Sequence, residues 1–113
     1  MKVAVIGSRT FNNYELLRKV LKRFFPDAKL IISGHASGAD TLAEKYAEEV
    51  GIETLIFKPD WQKMGRSAGY IRNKQIVENA QVLCVFWDAF SKGTEHSINL
   101  AKEMKKPTFI IYF

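Results

Sequence analysis

A chain of 113 residues and 12.9 kDa has the size of one compact domain and leaves no room for separate cofactor and substrate domains. Its 47% hydrophobic and 26% charged residues exclude a disordered or fibrous protein, and its one cysteine, Cys84, excludes an internal disulfide framework or a multi-cysteine zinc site. With 17 Lys and Arg against 12 Asp and Glu, the net charge of +5 favours phosphate-bearing partners.

Val3 to Ile6 form a short apolar run halted by Gly7, the pattern of a strand covered on both faces. From Asn13 to Phe25, apolar Leu16, Leu17, Val20, Leu21 and Phe24 recur at three- and four-residue spacing with Arg18, Lys19, Lys22 and Arg23 opposite them. This predicts an amphipathic helix, ended by Pro26, whose basic stripe is a solvated face. Leu30 to Ser33 is a second strand, and Ser37 to Val50 a second helix stopped by Gly51. Thr54 to Phe57 is the third strand, Ser67 to Ala80 the third helix and Val82 to Trp87 a wholly apolar fourth strand. Thr94 to Lys105 is the fourth helix, with Lys102, Lys105 and Lys106 suiting its negative end, and Thr108 to Tyr112 is the fifth strand. No apolar run approaches the ~20 residues of a membrane span, and MKVAVIGSRTF enters a strand rather than a cleavable leader. A cytoplasmic location without a membrane partner is expected.

This alternation predicts an α/β, Rossmann-like three-layer domain over residues 1–113: a five-stranded parallel sheet in the order 3-2-1-4-5 with helices on both faces. The last strand, TFIIYF, then forms an uncharged sheet edge, which predicts a homo-oligomer, a dimer or larger.

Ligands of such sheets bind beyond the carboxyl ends of the strands where strand order reverses, here between the first and fourth. The first strand delivers Gly7, Ser8, Arg9 and Thr10 to that edge, and the second delivers Ser33, Gly34, His35, Ala36, Ser37, Gly38, Ala39 and Asp40. The fourth delivers Trp87, Asp88, Ser91, Lys92, Gly93 and Thr94. Glycines let the backbone come close to an anion, hydroxyls donate to it, and the helices that follow present free N–H groups. Ser37 and Asp40 carry two readings, a Ser-x-x-Asp capping box or part of the anion site. Lys92-Gly93-Thr94 joins a cation, a permissive backbone and a hydroxyl at a helix entrance.

The segment PDWQKMGRSAGYIRN, Pro59 to Asn73, sets Lys63, Arg66 and Arg72 against Asp60 with Trp61 and Tyr70 interleaved. It reads as a lid able to stack on a base while pairing with phosphates. Neither G-x-G-x-x-G nor G-x-x-x-x-G-K-[ST] occurs, which argues against an ordinary dehydrogenase or ATPase, and no G-x-S-x-G elbow supports a serine hydrolase. His35 and His96 stand without paired carboxylates in sequence and read as polar surface residues, so neither a metal nor a cofactor is expected.

Gly7-Ser8-Arg9, SGHASGAD, PDWQKMGRSAGYIRN and FWDAFSKGT, in this order and on these strands, resemble the motifs of the SLOG superfamily. That Rossmann-like group includes the Lonely Guy nucleotide hydrolases and the core of DNA-processing protein A, and the resemblance, to its small stand-alone branch, covers nearly the whole chain. It implies a pocket for a nucleotide or nucleotide-derived molecule, carried by Gly7, Ser8, Arg9, Gly34, Gly38, Arg72 and Ser91 to Thr94. Lonely Guy enzymes use an arginine and a glutamate within P-G-G-x-G-T-x-x-E to release the base of a nucleoside monophosphate. Here Ser97 stands at the glutamate position, Glu95 directly follows Thr94, and His35 replaces the second glycine of the second loop.

The first functional expectation is binding of a nucleotide-derived signal such as an ADP-ribose-like or cyclic nucleotide. Arg9 and Arg72 would hold phosphates, Trp61 or Tyr70 would stack on a base, and Asp40 or Asp88 would receive ribose hydroxyls. Ser33, His35, Asp60, Arg66, Asn73, Trp87 and Ser91 to Thr94 complete the expected ligand set. The second is a nucleoside-phosphate N-glycosidase, a phosphoribohydrolase, with Glu95 or Asp88 as the acid and Arg72 on the phosphate. The third is single-stranded nucleic-acid binding.

Overall fold

The computed structural model describes Met1–Phe113. Strand β1 (Lys2–Gly7) alternates its side chains between two cores, Val3 and Val5 on one face of the sheet, Ala4 and Ile6 on the other. This double burial is why the run is apolar throughout. Helix α1 (Tyr14–Phe24) starts at Asn13, whose side-chain oxygen accepts from the N–H of Leu16, and it buries Leu17, Val20 and Leu21 while its basic stripe stays in water. Strand β2 (Leu30–Ser33), helix α2 (Ala39–Val50) and strand β3 (Glu53–Ile56) follow, with Gly51 ending α2 in the left-handed region.

The connector after β3 is more ordered than the sequence pattern predicts. Asp60 accepts from the N–H of Lys63 and caps a four-residue helix, α3 (Trp61–Met64), which runs through a 3-10 turn (Gly65–Ser67) into α4 (Ala68–Asn79). Strand β4 (Val82–Trp87), helix α5 (Lys92–Glu103) and strand β5 (Thr108–Tyr112) complete the chain. Helix α5 begins two residues before the expected Thr94, because Ser91 rather than Gly93 is the cap; its hydroxyl accepts from the N–H of Thr94.

All strand pairs are parallel and the order is β3-β2-β1-β4-β5, as the alternation predicts. Strand order reverses at β1, so right-handed crossovers place α1 and α2 on one face of the sheet and α4 and α5 on the other. The first core packs Leu17, Leu21, Ala43, Tyr46 and Ala47 against Val3, Val5, Ile31, Cys84 and Phe86. The second packs Ile76, Val77, Ile98 and Ala101 against Ala4, Ile6, Ile32, Leu83 and Val85. Full burial of a Leu or Phe side chain contributes about 1.5–3 kcal/mol, so these two layers hold the strand ends in fixed register. Strand β5 forms one edge of this sheet, and Phe109 and Tyr112 stand exposed on it. No helix is long and apolar enough to cross a membrane.

Candidate functional site

The register of β1 with β4 runs to Gly7 and Phe86, and beyond that pair the two chains turn to opposite faces, leaving a cleft at the reversal. Buried Ser8 stitches the two loops together: its N–H donates to the carbonyl of Phe86 (2.9 Å) and its hydroxyl accepts from the N–H of Asp88 (3.1 Å). The second loop closes against the first at Gly38, with φ of +85°, and any side chain there would collide with the carbonyls of Ser8 and Arg9.

Asp40 corrects the capping-box reading. Gly38, not Ser37, is the cap of α2 and makes no side-chain capping bond; the Asp40 carboxylate instead turns back into the loop and accepts from the N–H groups of Gly34 (3.0 Å) and Ala36 (3.3 Å). It is 4% exposed, and burial pushes its pKa up to about 6 against the opposing pull of those N–H groups and of Arg72. Arg72, also buried, donates from Nη1 to the carbonyl of Gly34 (2.6 Å) and from Nε to Oδ1 of Asn73 (3.0 Å). Burial lowers its pKa, nearby Asp40 raises it, and Arg9 lowers it, so two guanidinium groups share one neighbourhood. Asp40 is the one acidic residue that lines the same hollow as these two guanidinium groups, so the positive charge there is in excess and favours an anion.

These parts enclose a hollow of about 80 Å³ whose lining includes Gly7 and Arg9 from the first loop, Ala36 and Asp40 from the second, and Arg72 and Asn73 from α4. Ser91, Gly93, Thr94 and Ser97 line its α5 side, and Ile6 and Ile76 its apolar side. Arg9 is exposed and makes no hydrogen bond within the chain. The N–H of Gly93, in the first turn of α5, also has no acceptor within the chain. Two guanidinium groups and a free helix-entrance amide thus line one concavity, an arrangement suited to an anion.

Of the residues singled out in sequence, Gly7, Arg9, Asp40, Arg72, Asn73, Ser91, Gly93 and Thr94 meet in this hollow. Ser8, Gly34 and Gly38 build its walls from behind. Trp87 donates its indole N–H to the carbonyl of Ser91 (3.1 Å), and the Asp88 carboxylate accepts from the N–H groups of Phe90 (2.8 Å) and Ser91 (2.9 Å). Those two N–H groups hold the Asp88 carboxyl below its usual range, so it is fixed as an ionised loop clasp. Lys92 and Glu95 lie on the other side of the α5 entrance, in a second hollow. Asp60, Trp61 and Arg66 line neither hollow; Trp61 is 53% exposed beside Gly69.

His35 has a partner that sequence reasoning missed. It sits at φ of +59° with Nδ1 2.8 Å from Oε1 of Glu44, whose Oε2 accepts from the hydroxyl of Ser33 (2.8 Å). Glu44 lies one helical turn after Asp40 on α2, which is the signal that was available. Ile6, Ile76 and Ser97 were also missed as lining residues; Ser97 is where the resemblance locates a glutamate.

The family model described as "YspA, cpYpsA-related SLOG family" matches residues 1–64. The Gene 61 protein of Mycobacterium phage D29 is 28% identical over 116 aligned positions, covering 94% of this chain and 92% of the phage protein. DNA processing protein A from Streptococcus pneumoniae superposes with a TM-score of 0.80 at 21% identity, over 99% of this chain and 50% of that one. DNA processing protein A from Helicobacter pylori, described for its single-stranded DNA binding mode, superposes with a TM-score of 0.71 at 21% identity, over 97% of this chain and 64% of that one. The chain therefore spans half to about two thirds of these two proteins, and at such identity the likeness shows the fold.

Proposed function

The chain belongs to the YspA, cpYpsA-related SLOG family, and from that premise we propose that it binds a nucleotide or nucleotide-derived small molecule at the β1–β4 reversal, sensing or sequestering a nucleotide signal. The observation that supports this reading most is that Arg9 and Arg72 line the same inner hollow as Gly93, whose N–H has no acceptor within the chain. A volume of about 80 Å³ suits a phosphate group, far below the ~300–1,000 Å³ of a pocket that swallows a whole drug-sized ligand. The phosphate is held inside and the remainder of the molecule lies outside.

Binding is favoured over cleavage of the base by the state of the carboxylates. Asp40 is spent on the second loop, Asp88 on the fourth, Glu95 lines the outer hollow and not the inner one, and Ser97 offers no charge where an oxocarbenium-like transition state needs one. Thermal denaturation with inorganic phosphate, AMP, a cyclic nucleotide and ADP-ribose tests the reading. A ligand at one hundred times its Kd stabilises by about 2.7 kcal/mol, and Arg9→Ala removes that gain. A flat response across all four ligands refutes the proposal.

A second reading is single-stranded DNA binding. It is favoured by the likeness to the Helicobacter pylori protein, whose description names that activity, and by the net charge of +5. It predicts an affinity for oligonucleotides that falls steeply with salt concentration. Salt-insensitive binding excludes it.

A further inference from the structure

On the far side of the first turn of α5 lies an open hollow of about 470 Å³, lined by Tyr70, Lys92, Glu95, His96 and Asn99. It is joined to the inner hollow by a hydrogen-bond relay whose direction follows from chemistry. The Nε of Arg72 can only donate, so the atom of Asn73 facing it at 3.0 Å is the carbonyl oxygen. The Asn73 amide nitrogen then points the other way, 3.3 Å from the carbonyl of Gly93 and 3.2 Å from Nδ1 of His96. Since that nitrogen can only donate, His96 accepts at Nδ1 and carries its proton on Nε2. Tyr70 packs edge-to-face against the same imidazole, with ring centroids 4.6 Å apart, and keeps 55% of its own surface exposed.

We propose that the outer hollow is the nucleobase subsite of the ligand whose phosphate occupies the inner hollow. The inference rests on the binding reading above and deepens it. A planar heteroaromatic ring lies against Tyr70 and accepts the Nε2–H of His96 at a ring nitrogen. Glu95, on the same hollow, accepts from an amino group beside that nitrogen, so the base that fits presents an acceptor next to an amino donor, as adenine does. Lys92, at the entrance of α5, lines the same outer hollow. Asn73 is the positioning residue: it orients Arg72 on one side and fixes the tautomer of His96 on the other.

Calorimetric titration of the wild type, Tyr70→Ala and His96→Ala with inorganic phosphate, ribose 5-phosphate and AMP tests the proposal. The expected result is AMP at least about tenfold tighter than ribose 5-phosphate on the wild type, with that advantage reduced about fivefold or more in each variant. Unchanged ribose 5-phosphate binding shows that the variants remain folded. Equal affinities of the wild type for AMP and ribose 5-phosphate, or an AMP affinity indifferent to both substitutions, overturns the base subsite and leaves the phosphate site standing. No binding of any of the three compounds to the wild type overturns both. Independently, nitrogen-15 spectra are expected to show His96 protonated on Nε2 alone at pH 8 and a mixture of tautomers in Asn73→Ala; an Nδ1-protonated His96 in the wild type refutes the relay.

Discussion

Replacing Asp40 by Asn measures how much the fold strains to keep a carboxylate under the second loop. The carboxyl is 4% exposed and its pKa is raised from 3.8 to about 6, with burial as the chief cause. A carboxyl whose folded pKa lies above its unfolded one holds its proton more tightly in the fold. Its stabilising contribution is therefore complete below about pH 4 and is lost as the pH rises through about 6. At about 1.4 kcal/mol per pKa unit, the shift from 3.8 to about 6 makes the wild type about 3 kcal/mol less stable near pH 7.5 than near pH 4, from this group alone. For a chain of 113 residues that is roughly 12 °C in Tm. Asn fills the same space, still accepts at one oxygen and does not titrate. Urea denaturation of both proteins at half-unit pH steps should show the stability difference between them changing by about 3 kcal/mol between about pH 4 and 7.5, in favour of the variant at high pH. Two curves that stay parallel across that window mean that Asp40 ionises as it does in the unfolded chain, and the burial argument fails.

Helix α5 ends with Lys105 at φ of +56°, where Lys106 donates to Ala101 and Lys105 to Lys102, the arrangement that Gly51 completes for α2. Lys105→Gly should raise stability by about 0.5–1 kcal/mol in urea denaturation, and a loss shows that the lysine side chain contributes more than its backbone strain costs. Gly38→Ala meets both a positive φ and the carbonyls of Ser8 and Arg9, so it should cost about 2–4 kcal/mol and weaken AMP binding, and a wild-type Tm refutes the close approach of the two loops. The open β5 edge, with Phe109 exposed beside a groove lined by Val20, Phe24 and Ile111, should pair with a second copy. Light scattering at micromolar concentration should give a dimer or larger for the wild type and a monomer for Phe109→Lys; a monomeric wild type removes the edge-pairing idea.

The strands were legible because burial on both faces demands uninterrupted apolar runs; Leu30–Ser33, Val82–Trp87 and Thr108–Tyr112 fall at their expected boundaries. The helix starts were less so, since a cap depends on which hydroxyl or carboxylate turns inward. Ser-x-x-Asp spacing serves a capping box and a loop clasp equally well, and only the chain's path shows the Asp40 carboxylate reaching back to Gly34 and Ala36. The role of Arg72 was hidden for a related reason: the carbonyl that it holds belongs to Gly34, 38 residues earlier. Composition pointed Trp61 toward a ligand, yet Asp60 caps a helical turn at that point and leaves Trp61 beside Gly69, outside both hollows. The convergence of the first, second and fourth loops was readable from topology alone, because parallel strands deliver their carboxyl ends to one edge.

The most direct test of the phosphate site is a two-dimensional amide spectrum of the protein titrated with AMP. We expect saturable shifts of the amides of Gly7, Arg9, Gly38 and Gly93, which meet at the inner hollow and its walls, and their loss in Arg9→Ala. Shifts confined to the Trp61–Ser67 segment or to the basic face of α1, or none at all up to millimolar AMP, would contradict it.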